Sequence, residues 1–167
     1  EGGVYDAWGP DPEPDAEGYS AYNNIKIAYD FYNYYGWDSY DDSGKSEIEM
    51  FIHVGGDVAQ WKGSCTMMEF SDGRPVRDSV VHEYTHAVIQ HSSGLGTKGE
   101  PGSLNESLSD IMAHMAAVSV GVTDWLQSED SSKATSPKNP TVGGVGCQKA
   151  IRDLSNPPCF GAPDQMS

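Results

Sequence analysis

Three patterns in the sequence predict an α+β fold in which a small mixed or antiparallel sheet packs on two helices. Val80, Val81, Val88 and Ile89 flank a polar pentapeptide at helical spacing. Leu104, Leu108, Ile111, Met115 and Val118 recur every third or fourth residue and mark a second helix from about Ser103 to about Val120. Ile48, Met50, Ile52 and Val54 alternate with Glu47, Glu49, Phe51 and His53, the period-two pattern of a half-buried strand. At 167 residues the chain, 1–167, reads as one domain large enough to bury a core.

The remaining elements follow in order. Residues 1–18, with Pro10, Pro12, Pro14 and several acids, read as an extended lead-in. Ala21, Ile25, Ala28, Tyr32 and Tyr35 trace a helix face that ends at Gly36, and at this spacing the tyrosines read as packed core. Asp38 to Gly44 is an acidic loop, but no glutamate follows at the distance an EF-hand requires. On the strand, His53 falls opposite the aliphatic set and reads as structural rather than as a ligand. A further strand is expected over Cys65 to Phe70. Ser92-Ser93-Gly94 supplies a helix stop, with glycine suited to the left-handed cap. The segment 124–145, poor in apolar residues and rich in Ser, Lys, Pro and Gly, reads as a long surface excursion.

Charge excludes some functions. Twenty-five acids against ten bases give a net charge of −15, which argues against nucleic acid and against an anionic membrane as partners. The longest apolar run, Met115 to Val122, is far short of the ~20 residues that span a bilayer. With Glu1 first and no hydrophobic leader, the chain reads as a processed mature form or an excised fragment. Cys147 and Cys159, on either side of Asn156-Pro157-Pro158, suit a small-loop disulfide; two reduced cysteines are the alternative. Cys65 reads as a free buried thiol, or as one that pairs outside this chain. The acidity suits a secreted, extracellular protein.

The chemistry centres on His82-Glu83-Tyr84-Thr85-His86. On a helix, positions i and i+4 share a face, so His82 and His86 converge on one ion while Glu83 stands beside them. A hydrolytic zinc site needs such neutral nitrogens, an open position for water and a carboxylate base. It also needs a third ligand, for which Glu106 is the candidate. Ser103 and Glu106 also spell a capping box, but the upstream pentapeptide decides for the ligand. Asp110, one turn beyond Glu106, fits as acceptor for the far N–H of a ligand histidine, or else as a solvated helix acid.

His82-Glu83-Tyr84-Thr85-His86-Ala87-Val88, the Ser93-Gly94-Leu95 turn and Gly102-Ser103-Leu104-Asn105-Glu106-Ser107-Leu108-Ser109-Asp110 resemble the thermolysin-like zinc metallopeptidases, the gluzincin class. The resemblance extends more weakly to Ala21–Gly36, to 52–54, to 59–63 and to 151–155. It implies a zincin-like fold covering mainly the zinc-binding half of the catalytic unit, with no counterpart of the family's helical carboxy-terminal lobe. It further implies an edge strand around Ala59 that pairs with substrate, and Ile151 and Arg152 lining the pocket beyond the scissile bond, although an ordinary surface arginine is an equal reading of Arg152.

Several positions depart from the pattern. Thr97 stands where the family has its transition-state tyrosine, Val58 replaces the edge-strand asparagine, and the family's oxyanion histidine has no counterpart up to Ser167. Asp78, Asp124 and Glu129 align with calcium ligands, but Ala117 and Leu126 occupy two other acid positions, so at most a reduced Ca2+ site is expected. The implied function is zinc-dependent endopeptidase cleavage of a peptide or protein substrate, with Glu83 as general base and acid. A second chain or lobe would complete the cleft. The alternatives are a catalytically weak zinc-binding scaffold domain and a zinc hydrolase of a non-protein amide. Retention of a general base favours the enzymes, whereas the missing oxyanion donors favour the scaffold domain.

Overall fold

The computed structural model describes residues 15–123, together with the backbone of 126–127 and 152–153. Helix α1 (Ala16–Tyr34) starts where the Asp15 carboxylate accepts the Glu17 N–H at 3.0 Å, an N-cap that satisfies an amide the helix cannot pair. The expected lead-in therefore ends before Gly18, because Asp15 turns the chain into helix. Ala21, Ala28, Phe31 and Tyr32 face inward, whereas Tyr35 is exposed and Phe31 takes the inward place expected of it.

Strands β1 (Glu49–Phe51), β2 (Ala59–Lys62) and β3 (Met67–Phe70) form a mixed sheet in the order β1-β3-β2. β1 runs parallel to β3 with Met50 opposite Met68, and β2 runs antiparallel with Trp61 opposite Met68. β1 is shorter than its alternating pattern, because His53 adopts a left-handed φ of 59° that ends the pleat. Met68 and Phe70 on the central strand are wholly buried. Cys65 corrects its assignment: it sits in the turn before β3 and is exposed.

Helix α2 (Arg77–His91) packs against α1, β2 and α3 (Gly99–Ser119) and is buried along most of its length. Val80, Val81, Ala87, Val88 and Ile89 supply its core surface, and Gly94, with φ 63°, closes it by donating its N–H to the Ile89 carbonyl. Helix α3 begins at Gly99, not near Ser103, so the capping box does not form; the Ser103 hydroxyl donates instead to the Gly99 carbonyl. Pro101 and Glu100 occupy the first turn, where a missing N–H costs nothing and a carboxylate complements the helix dipole.

The apolar stripe of α3 points outward. Leu104, Ile111, Met115 and Val118 are 41–49% exposed, while Asn105, Ser109, Asp110, Ala113, His114, Ala116 and Ala117 face inward. Small side chains on this face bring α3 close to α2, and the polar ones meet the polar face of α2. Two-residue strands β4 (Leu126–Gln127) and β5 (Arg152–Asp153) pair antiparallel, so a short strand interrupts the expected excursion. The proposed disulfide cysteines and most of segment 124–145 lie outside the described residues.

Two buried hydroxyls of the core, those of Tyr32 and Thr85, are paired. Tyr32 donates to Thr85 Oγ1 at 2.8 Å, and Thr85 donates to the Val81 carbonyl at 2.8 Å. Burial, partly offset by the Thr85 bond, lifts the Tyr32 hydroxyl from 10.0 to about 12, and burial also raises Tyr84. A phenol with a higher folded pKa adds stability below its ordinary value and loses that contribution as pH climbs through the folded one. The urea midpoint is therefore expected to fall between pH 10.0 and about 12. The fall should be smaller in Tyr32→Phe; an identical fall in both would remove Tyr32 as its cause.

Candidate active site

The site lies between α2 and α3, against β2. His82 and His86, one turn apart on α2, bring their Nε2 atoms to 3.0 Å of each other. Glu106 on α3 closes the triangle, with its carboxylate oxygens 3.3 Å from His82 Nε2 and 3.4 Å from His86 Nε2. The far nitrogens are held. His82 Nδ1 donates to Asp110 Oδ1 at 2.8 Å, which is the orienting contact expected of Asp110. His86 Nδ1 donates to Asn105 Oδ1 at 2.7 Å, with Ser109 Oγ at 3.1 Å.

With both Nδ1 atoms donating outward, both Nε2 lone pairs and the Glu106 oxygens converge on one point. Such acceptors repel unless a positive charge lies among them, and either a proton or a divalent cation meets that need. Burial pulls the His82 imidazole down, but hydrogen bonds to Asp110 and Glu106 and the charge of Glu83 outweigh it and lift His82 to about 9. Two imidazoles and a carboxylate at this spacing are the donor set of a catalytic zinc site, so the residues fit that ion. Among the described residues, this group is one of two sets of His and carboxylate ligand atoms gathered within 4.8 Å.

Glu83 is buried beside the triangle, and its Oε2 accepts the Trp61 N–H of β2 at 2.7 Å. The Trp61 indole donates in turn to Gln90 Oε1 at 2.9 Å, fastening β2 to α2 at a second point. Sequence reasoning missed Trp61, Asn105 and Ser109. A signal for the last two was present: Asn105/Ser109 and Glu106/Asp110 are interleaved i,i+4 pairs, the first holding His86 Nδ1 and the second supplying the shared carboxylate and the acceptor for His82 Nδ1.

The family described as thermolysin metallopeptidase, catalytic domain, matches residues 4–90, more than half of the chain. The chain belongs to this family. Among thermolysin-family proteins it is 38% identical to neutral protease B of Bacillus subtilis (strain 168) over 158 residues, covering 88% of this chain and 26% of that protein. It is 33% identical to the extracellular elastase of Staphylococcus epidermidis, covering 94% of this chain and 31% of that protein. The precursor of protealysin, a metalloproteinase from Serratia proteamaculans, superposes with a TM-score of 0.60 at 27% identity over 71% of this chain and 41% of that one. The chain thus spans about a quarter to a third of the length of the curated relatives it matches. The expected α+β arrangement of a thermolysin-family metalloprotease is the one observed.

Of the other predicted residues, Ala59 opens edge strand β2, next to the Glu83 contact. Arg152 is described only through its backbone pairing with Gln127, and Ile151 lies outside the described residues. His53 lies apart from the triangle, among the carboxylates of Asp15, Glu17 and Asp72. Asp78 is buried and bonded to Arg77, while Asp124 and Glu129 lie outside the described residues.

Proposed function

We propose that the chain carries the zinc-binding half of a secreted zinc-dependent endopeptidase. The observation that carries this reading is the convergence of His82 Nε2, His86 Nε2 and the Glu106 carboxylate beside a buried Glu83. His82, His86 and Glu106 would hold the zinc, which when bound acidifies a water and polarises the scissile carbonyl. Glu83 takes the proton of the attacking water and returns it to the leaving nitrogen. The Trp61 N–H fixes the Glu83 carboxylate beside the triangle. Asp110 and Asn105 keep both imidazoles in the tautomer that turns Nε2 inward.

Substrate would lie along β2. Backbone groups of residues i and i+2 on a strand point the same way, so Ala59 presents its N–H and C=O on the side where the Trp61 N–H reaches Glu83. An extended peptide pairing there by β-augmentation would pass its carbonyls across the histidine–glutamate triangle. Ile151 and Arg152 are proposed, from the family pattern, to line the pocket beyond the scissile bond. Secretion accords with a relative named extracellular elastase. With Ala117 and Leu126 at two of the family's acid positions, at most a reduced calcium site is proposed.

Two measurements check the reading. Cleavage of casein and of a quenched peptide should stop on addition of a zinc chelator and return with zinc. Tight zinc binding without cleavage, in the presence of whatever further chain the cleft requires, would overturn the peptidase in favour of a zinc-binding scaffold. Asp110→Ala is expected to weaken zinc about 10–100-fold, because His82 loses its orienting acceptor. A dye competition titration measures that loss directly, and an unchanged affinity would leave Asp110 with no role at the metal.

A further inference from the structure

Apart from the histidine–glutamate triangle, a second imidazole stands among carboxylates from the start of α1 and from the turn after β3. Glu17 comes from the first turn of α1, His53 from the loop after β1, and Asp72 from the turn between β3 and α2. His53 Nδ1 lies 2.8 Å from Asp72 Oδ1 and 3.7 Å from Glu17 Oε2, while its Nε2 lies 3.1 Å from Asp15 Oδ2. Glu17 Oε1 is already engaged, accepting the Gly73 N–H at 2.6 Å, which aims the other oxygen at the histidine. We propose that Glu17, His53 and Asp72 form a second divalent-cation site, of the zinc class, with Asp15 as the residue that positions the histidine.

The arrangement repeats the chemistry of the first site. There, Asp110 takes the far nitrogen of His82 and turns the near one toward Glu106; here, Asp15 takes Nε2 of His53 and turns Nδ1 toward two carboxylates. A carboxylate on the remote nitrogen fixes the tautomer and raises the basicity of the ligating one. The ligand spacings of 2.8 and 3.7 Å bracket the 3.0–3.4 Å of the first triangle. One imidazole with two carboxylates suits zinc or a neighbouring transition ion completed by water, and suits calcium poorly because calcium takes oxygen ligands. The partly exposed position leaves room for those waters.

Such an ion would clip the start of α1 to the turn that launches α2, closing long loops in the chain and so adding stability. It would compete with a proton for Nδ1.

Metal counting on the full chain tests this independently of peptidase activity. Equilibrium dialysis against zinc should return two equivalents in the wild type and one in both His53→Asn and Asp72→Asn. His86→Ala should lose the other equivalent and keep this one. In the His86→Ala background zinc should raise the melting temperature by several degrees, and adding Asp72→Asn should abolish the rise. Calcium at the same concentration should leave it unchanged. A single equivalent in the wild type overturns the second site, and so does a second equivalent that persists in both His53→Asn and Asp72→Asn. If His53→Asn does not fold, the exposed Asp72→Asn change decides alone.

Discussion

Glu83→Gln is expected to lower kcat/KM for a quenched peptide about 10³-fold while leaving zinc bound, because general acid–base groups typically contribute about 10²–10⁴. The substitution nearly preserves shape. The glutamine carbonyl can still accept the Trp61 N–H that Glu83 Oε2 now accepts at 2.7 Å, so β2 stays fastened to α2. What disappears is the ability to take a proton from water and return it to the leaving amine. The lost charge also removes one attraction for a cation among His82, His86 and Glu106, so zinc should loosen slightly, well short of the catalytic loss. Zinc content measured beside kcat separates the two effects. Activity within tenfold of wild type, with zinc in place, would show that another group takes the proton and would leave Glu83 a structural role on β2.

How much of this site could be read from sequence depended on whether local spacing fixed the geometry. His82, Glu83 and His86 are one turn of a helix, so their convergence needed no tertiary knowledge. Glu106 and Asp110 were legible for the same reason once a second helix was placed. The orientation of that helix was less legible. Leu104, Ile111, Met115 and Val118 form the more apolar stripe, yet Ser109, Ala113, Ala116 and Ala117 face inward. Close helix packing selects small side chains rather than the most hydrophobic ones, and a polar site on α2 demands polar partners. Hydropathy periodicity locates a helix but does not say which of two faces meets its neighbour.

The Trp61 contact was illegible for a different reason. A backbone N–H carries no side-chain signature, and its reach to Glu83 depends on the register of β2 against β3, a non-local property. His53 illustrates a third limit. Its alternation placed it correctly away from the aliphatic set, but the left-handed φ that ends β1 and the gathering of Asp15, Glu17 and Asp72 around it arise from three distant segments. The helix start at Gly99 was hidden because Lys98 caps it without a side-chain hydrogen bond, while Ser103 and Glu106 offered a better motif four residues later.

Gly102→Ala is expected to cost about 3 kcal/mol of stability, at the upper end for overpacking, and to weaken zinc more than tenfold. Gly102 is buried in the first turns of α3, and a Cβ there would lie 2.6 Å from the Thr97 carbonyl carbon and 2.7 Å from its oxygen. Both are backbone atoms, so no rotamer change relieves the contact; the 95–98 loop and the start of α3 must separate. That separation acts on the metal triangle directly. Asn105 Nδ2 donates to the Leu95 carbonyl at 3.3 Å while its Oδ1 accepts from His86 Nδ1, and Glu106 is the next residue. A shift at residue 102 therefore moves the orienting acceptor of one histidine and the carboxylate ligand together. Gly96→Ala is the control, since a Cβ there meets only Pro101 Cβ at 4.0 Å. Chemical denaturation and zinc titration on both variants check the expectation. Wild-type zinc affinity in a destabilised Gly102→Ala would show that the helix start and the metal ligands are mechanically independent.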